Sequence, residues 1–179
     1  SGGTYLYSYE GAPLLFSVNS GQGFTERLRI NSSGRLLIGS TVESSHGGID
    51  SALQIIGTGT DDTSITLSRF DNSVHSPYIA FAKSRNGSIG GNTIVQDGDS
   101  LGRMTFFGND GTDGSTPAAE IDIEIDGTPG SNDMPGRIVL RTTSDGASTT
   151  SERMRIRSDG HVQLQHGLTG LSGGGVIVC

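Results

Sequence analysis

The 179-residue sequence has no tryptophan, one cysteine, one lysine, six glutamates and seven alanines. Each scarcity excludes something. A lone Cys179 leaves no disulfide framework and no cysteine-built zinc site within the chain. With helix formers so few, no window of helical length keeps a 3.6-residue apolar period free of Gly or Pro. No apolar run approaches the length of a membrane span. Residues 1–9 have neither a basic nor an apolar region, unlike a signal peptide. A net charge of −7 is the wrong sign for binding phosphate backbones, which argues against nucleic acid as a partner. The chain starts without Met and stops inside the apolar run Val176-Ile177-Val178-Cys179. It therefore reads as part of a longer or processed polypeptide.

Apolar residues are also in short supply. Leu, Ile, Val and Phe number 42, about 23% of the chain, just above the range in which chains stay disordered. In their place stand 29 Gly, 24 Ser and 17 Thr. The glycines follow no three-residue period, so this is not collagen. A monomer of this length ordinarily has more to bury. The composition predicts either a thin, loop-rich fold or a core shared between chains, in one or two domains.

What the sequence does have is alternation. Glu120–Asp126 alternates acidic and apolar residues without error, and Ser64–Ser68 and Arg153–Arg157 alternate in the same way. Such runs place one face in a core and the other in water. Further strands are predicted at Thr4–Tyr9, Leu14–Val18, Arg27–Ile30, Leu36–Ile38, Ala52–Ile56, Tyr78–Lys83, Arg103–Phe107, Arg137–Thr142, Val162–Leu164 and Val176–Val178. Turn pairs punctuate them: Asn86-Gly87, Asp97-Gly98, Asp110-Gly111, Asp126-Gly127, Asp145-Gly146 and Asp159-Gly160. The predicted fold class is all-β, made of short antiparallel strands and meanders.

One internal repeat stands out. Thr25–Leu36 matches Ser151–Val162 at a constant offset, sharing Glu-Arg-x-Arg-Ile and a turn ending in Gly34 or Gly160. Each copy reads as a three-stranded meander. The expected organisation is a first meander unit at 1–40, an inserted β-rich module at 41–136, and a second meander with a tail at 137–179. Gly34 and Gly160 occupy the fourth position of a turn between two strands, where a positive φ and a bulge return the chain into a hairpin. In the repeat strands Leu28, Ile30, Met154 and Ile156 share one face and arginines the other. Sheets this narrow bury little alone. These four residues are therefore expected to pack around a three-fold axis in a homotrimer, with the arginines pairing to acidic residues of a neighbouring chain; an ordinary sandwich with the arginines in solvent is the alternative.

At these residues the sequence resembles bacteriophage tail-fibre and related virion structural proteins, especially those of marine and cyanobacterial phages. The segment Glu26–Gly39 is similar to a repeat common in such fibres. The run Arg85–Gly102, with its Asn92-Thr93 and Gly98-Asp99-Ser100-Leu101-Gly102 elements, is a more specific match. It continues through Gly108–Asp113, Asp126–Arg137 and Thr142–Ala147. The resemblance implies an elongated, intertwined, usually trimeric fibre in the virion, an extracellular appendage acting in host attachment or as spacer and connector. Its implied partners are itself, other virion proteins and a host-surface glycan or protein, with no membrane insertion. Many relatives end in a self-cleaving chaperone domain with a Ser–Lys dyad, and the only lysine here, Lys83, lies far from the C-terminus.

Motifs for catalysis are scarce. There is no phosphate-binding loop, no His-Glu-x-x-His and no nucleophile elbow. His46, His75, His161 and His166 have no partner at ligand spacing, although histidines of a trimer can meet on its axis. No cofactor is expected. The one ion the sequence suggests is a structural calcium, at Asp97-Gly98-Asp99 or Asp110–Gly114, where hard oxygens sit on tight loops. Glu120, Asp122 and Glu124 share a strand face at about 6.5–7 Å intervals, within the spacing that glycoside hydrolysis uses. The first expectation for them is a solvated strand face, neutralised by Arg103, Arg137 or Arg141. The functional reading is a non-enzymatic fibre segment. A polysaccharide depolymerase and a bacterial surface adhesin or filament subunit are the alternatives.

Overall fold

A computed structural model describes residues 8–9, 11–19, 21 and 23–165. The predicted strand Thr4–Tyr9 lies mostly outside these residues, and Val176–Val178, His166 and Cys179 lie wholly outside. The chain divides into two compact units, Ser1–Tyr78 and Ile79–Cys179. Among the described residues the only helical element is a single 3-10 turn at Asp61–Thr63.

The first unit is a four-stranded sheet. Strands β1 (Leu14–Asn19), β2 (Phe24–Ile30) and β3 (Leu36–Ile38) form an antiparallel meander, and β4 (Leu53–Ile55) adds parallel to β3. The second unit is a five-stranded antiparallel sheet. Its strands β5 (Ser100–Phe107), β6 (Pro117–Ile125), β7 (Gly136–Thr143), β8 (Thr150–Ile156) and β9 (Val162–Leu164) lie side by side in chain order. The segment read from the sequence as an insert is thus shared out. β4 completes the first sheet, while β5 and β6 extend the second, with β6 paired to β7 from Ala119↔Thr142 to Ile125↔Gly136.

The repeat is a repeat in three dimensions. Leu28 lies between Phe16 and Ile38, and Ile30 between Leu14 and Leu36. Met154 lies likewise between Leu140 and Leu164, and Ile156 between Ile138 and Val162. Each meander carries a bulge at the same place, after Phe16 in one and after Leu140 in the other. In each turn the glycine N–H donates to the first turn residue, Asn31 or Arg157, whose own N–H donates to the residue after the glycine. Gly34 has φ 77° and Gly160 has φ 84°, the left-handed region that a side chain with a Cβ disfavours.

Two predicted strands are absent. Residues 64–68 and 78–83 are not paired to any strand. Their alternation is real, but alternation sets only which side chains share a face. A strand also needs a neighbour for its main chain, and among the described residues none is paired to them.

Candidate functional site

Both sheets leave their apolar face open. In the first unit, cross-strand pairing lines up Phe16–Leu28–Ile38–Ile55 and, beside it, Leu14–Ile30–Leu36–Leu53. In the second it lines up Met104–Ile121–Leu140–Met154–Leu164 and Gly102–Ile123–Ile138–Ile156–Val162. None of these side chains is fully buried, and Ile121 and Ile123, at the middle of a five-stranded sheet, are each 37% exposed. The buried apolar side chains among the described residues are few: Leu37, Val95, Ile125, Pro129 and Val139. Leu28, Ile30, Met154 and Ile156, the residues singled out from the sequence, all lie in these open rows.

Phe81 completes one row. Gly102 contributes no side chain at its place beside Ile123, and Phe81 sits there instead. A Cβ built on Gly102 would meet Phe81 Cβ at 2.7 Å. Phe81, Met104, Ile121 and Ile123 border a shallow apolar hollow of about 210 Å³ over this glycine. Gly102 thus belongs to the fibre-like motif for a packing reason, the close approach of an aromatic ring.

The opposite face of the second sheet overturns the expectation of a solvated acidic strand. Asp122 is 0% exposed, and Glu120 and Glu124 are also buried. Arg103 Nε and Nη2 donate to Asp122 Oδ2 at 2.9 and 2.5 Å, and Arg141 Nη1 donates to the same oxygen at 2.9 Å. Ser100 Oγ donates to Asp122 Oδ1 at 2.6 Å. Arg141 also reaches Glu124, which Arg137 binds from the other side at 2.8 Å. Glu120 takes the Thr150 hydroxyl at 2.8 Å and Arg103 at 3.4 Å. The physical reason is cross-strand register: β6 carboxylates stand opposite β5 and β7 arginines, whose long stems cover the face while their heads pair. Val139, between Asp122 and Arg155 on this face, is completely enclosed. The cluster is a neutralised structural layer rather than a set of carboxylates facing solvent.

Two of the repeat arginines, Arg29 and Arg155, differ from expectation. Arg29 is bound by Glu26 and Arg155 by Glu152, each through two hydrogen bonds within one strand, so their carboxylate partners belong to the same chain. These guanidinium groups hold both glutamates below their ordinary pKa. Arg153 donates to Thr142 and Ser144.

Other motif residues close loops. Arg85 clamps Asp99 at 2.7 and 2.6 Å, the Gln96 N–H donates to the same carboxylate at 3.0 Å, and Lys83 lies 3.6 Å away. With Arg85 as the main cause, Asp99 is held far below the ordinary aspartate range. Asp97 accepts from the Gly127 N–H. Asp110 accepts from the main chain of Thr112 and Asp113, and Asp113 from Ser115. The aspartates considered for calcium are thus engaged in turns and ion pairs, and no metal-holding group of three His, Cys, Asp or Glu occurs among the described residues. His161 Nδ1 lies 3.1 Å from Asp159, His46 Nε2 lies 3.0 Å from the Ser44 hydroxyl, and the His75 N–H donates to Ser73.

Asp126 was missed by sequence reasoning as anything but a turn residue. Its carboxylate accepts from the Ser158 N–H and hydroxyl, both at 2.9 Å, and from Arg137 at 3.0 Å. The Ser158 N–H first and Arg137 second lower its pKa to about 2. It ties the β6–β7 loop to the Gly160 turn, a link between residues 32 positions apart that no local pattern announces.

The architecture is therefore all-β, with an open apolar face on each sheet and a buried, paired charge layer on the other face of the second. Solved structures that share this fold include two of a phage tail fibre. The carboxy-terminal domain of the bacteriophage T5 L-shaped tail fibre matches 92% of this chain and 82% of its own, with a TM-score of 0.63 and 15% identity. The same domain with its intramolecular chaperone domain matches 98% of this chain with a TM-score of 0.72 and 16% identity; the chain spans 54% of that longer structure. At these identities the likeness establishes a common fold. No protein-family model matches the chain, and no curated protein matches it.

Proposed function

We propose that this chain is a structural segment of a phage tail fibre or a similar virion appendage, that it works as a homotrimer, and that it is not an enzyme. The observation that carries the reading is the pair of open apolar faces. A sheet that pairs its charges internally and exposes its isoleucines is built to be covered, and each such side chain fully covered contributes about 1.5–3 kcal/mol. Three copies meeting around an axis would cover the rows of all three at once. This accounts for the low apolar content, because each chain then supplies only part of a core. The fold shared with a tail-fibre domain supports the same conclusion. As a fibre segment the chain would act mechanically, as spacer or connector to other virion proteins. It could also present three identical surfaces to a host glycan or protein, where weak contacts add through effective concentration. The burial of Glu120, Asp122 and Glu124 under arginines supports the non-catalytic reading.

Light scattering on a chromatographed sample should return about three times 18.6 kDa. A folded monomer at micromolar concentration would remove the shared core. Gold-labelled antibody should decorate the fibres of virions in micrographs, and labelling of bacterial surfaces in the absence of phage would favour an adhesin instead.

A further inference from the structure

Glycine follows aspartate at 97–98, 110–111, 113–114, 126–127, 145–146 and 159–160, but Asn86-Gly87 is the only Asn-Gly pair in the sequence. In such pairs the glycine nitrogen can attack the side-chain carbonyl carbon before it, because no Cβ shields the approach. A folded chain permits this when the carbonyl carries a leaving group, the glycine N–H is free of other bonds, and the backbone is not locked in a turn. No Asp-Gly pair meets all three conditions. In each the group attacked is an ionised carboxylate, which would have to expel oxide. The Gly98 N–H also donates to the Ile125 carbonyl, Gly111 to Asn109, Gly127 to Asp97 and Gly160 to the Arg157 carbonyl. Those four glycines, and Gly146, are held at positive φ. Gly87 is exposed, lies outside the left-handed region, and its N–H meets no acceptor among the described residues.

Asn86 itself is set for the attack. Its Oδ1 accepts the Ser88 N–H at 2.9 Å, which closes a turn around the Gly87 nitrogen. That donor faces the oxygen on which negative charge collects when Cγ is attacked. Nδ2 donates to the Thr93 hydroxyl at 3.0 Å, and a Cβ built on Gly91 would sit 2.2 Å from Asn86 Cγ. We propose that Asn86 is a self-modification site: in the folded protein the Gly87 nitrogen displaces the side-chain amide, and Asn86 becomes aspartate or isoaspartate. The Gly87 N–Cγ bond forms as the Cγ–Nδ2 bond breaks, and Nδ2 leaves as ammonia with the glycine proton. Water then opens the succinimide at Cγ, giving aspartate, or at the main-chain carbonyl of residue 86, giving isoaspartate with one more methylene in the main chain. Either product loses the donor to Thr93 and adds a carboxylate beside Arg85, whose guanidinium clamps Asp99. The loop 84–93 is closed by this amide, by the Thr93 N–H on the Ser84 hydroxyl and by the Arg85 N–H on the Thr93 carbonyl. It therefore loosens as the protein ages.

The test is to incubate the full chain, folded, in mildly alkaline buffer at physiological temperature. Isoaspartate is then located by methyltransferase labelling and peptide mass spectrometry. It should accumulate at residue 86, with release of ammonia, and not at Asp97, Asp110, Asp126 or Asp159. Gly87→Ala adds a Cβ that meets nothing within 4 Å and no φ strain, so the thermal midpoint should hold while isoaspartate at residue 86 is lost. In aged wild-type protein the Arg85 and Thr93 amides should exchange faster than in fresh protein. An aged folded chain unmodified at residue 86, equal modification in Gly87→Ala, or equal labelling at the four aspartates overturns the site. Unchanged exchange at Arg85 and Thr93 in modified protein overturns the loosening.

Discussion

The four-stranded sheet of the first unit and the β7–β9 meander of the second are built on one sequence repeat, yet they hold themselves together differently. Their apolar rows correspond residue for residue, with the same bulge and the same positive-φ glycine. The other faces diverge. In the first unit the buried positions are Leu37 and Gln54; Arg29 pairs along its own strand with Glu26, with a carbonyl contact to Thr41, and Arg35 pairs with Glu43 and Asp50. In the second, β5 and β6 bring carboxylates and arginines that lock neighbouring strands together through Asp122 and Glu124. The turns diverge as well. Both turns have an internal side-chain bond, from the Ser33 and Arg35 N–H groups to Asn31 Oδ1 in one and from the His161 N–H to Asp159 in the other, but their outside partners differ: the Gly34 turn is tied by Asn31 and Arg35 to Glu43 and by Arg35 to Asp50 further along the chain, and the Gly160 turn to Asp126 of the β6–β7 loop. The lesson is that the open apolar face is the common element, and each unit stabilises the reverse side by its own means.

The sharpest way to break the correspondence is to place a charge in the open rows. Ile123→Asp should abolish the trimer, because covering an unpaired carboxylate in an apolar interface costs several kcal/mol per chain. Leu28→Asp should do the same less completely, its sheet being one strand narrower. Light scattering reads the mass, and circular dichroism should still report β structure. A trimer that persists in both variants would mean that the rows are not the interface.

Next in size is the reverse face. Asp122→Ala leaves Arg103 with Glu120 and Arg141 with Glu124, but it removes the carboxylate they share with the Ser100 hydroxyl and opens a buried gap, and should cost about 1–3 kcal/mol. Glu26→Ala removes a pair within one strand near the surface and should cost about 0.2–1 kcal/mol. Denaturant melts of the two variants compare them directly. Equal losses would contradict the assignment of the network as what distinguishes the second unit.

The turn glycines should behave alike. Nothing lies within 4 Å of a Cβ built at Gly34 or Gly160, so only backbone strain opposes a side chain there. Gly34→Ala and Gly160→Ala should each lose about 1–2 kcal/mol per chain, read as equal shifts in thermal midpoint. A silent substitution at either position would show that its turn relaxes out of the left-handed region.

The smallest effect is with acid. Asp126 has its pKa lowered from 3.8 to about 2 in the folded chain. A depressed carboxylate stabilises the fold fully above its unfolded pKa and loses that contribution as pH falls through the folded value. The Gly160 turn should therefore loosen between about pH 4 and pH 2, seen as faster exchange of the Ser158 amide. Asp159, also lowered by its bond from the His161 N–H, acts in the same direction in the same turn. The Ser33 amide in the other turn is held by the Asn31 oxygen, which does not titrate and meets a carboxylate, Glu43, only through its amide nitrogen, and should change less. Asp126→Asn should flatten the dependence at Ser158.

Several features were readable from residues alone because they are local. Strict alternation located β6 and β8, the Asp-Gly and Ser-Gly pairs located the turns, and the offset repeat located two equivalent meanders with their glycines. The apolar face of each repeat strand was legible for the same reason, since a period of two needs no partner to be seen. Tertiary structure decided which face is covered and by what. Glu120–Glu124 looked like a solvated edge until cross-strand register set arginines of β5 and β7 against it. Residues 64–68 and 78–83 looked like strands, but pairing is a property of two segments, and neither of the two described sheets takes them in. Phe81 over Gly102 and Asp126 on Ser158 join residues distant in sequence. Periodicity fixes a side chain's face from its neighbours along the chain, whereas burial and pairing depend on which segments the fold brings alongside.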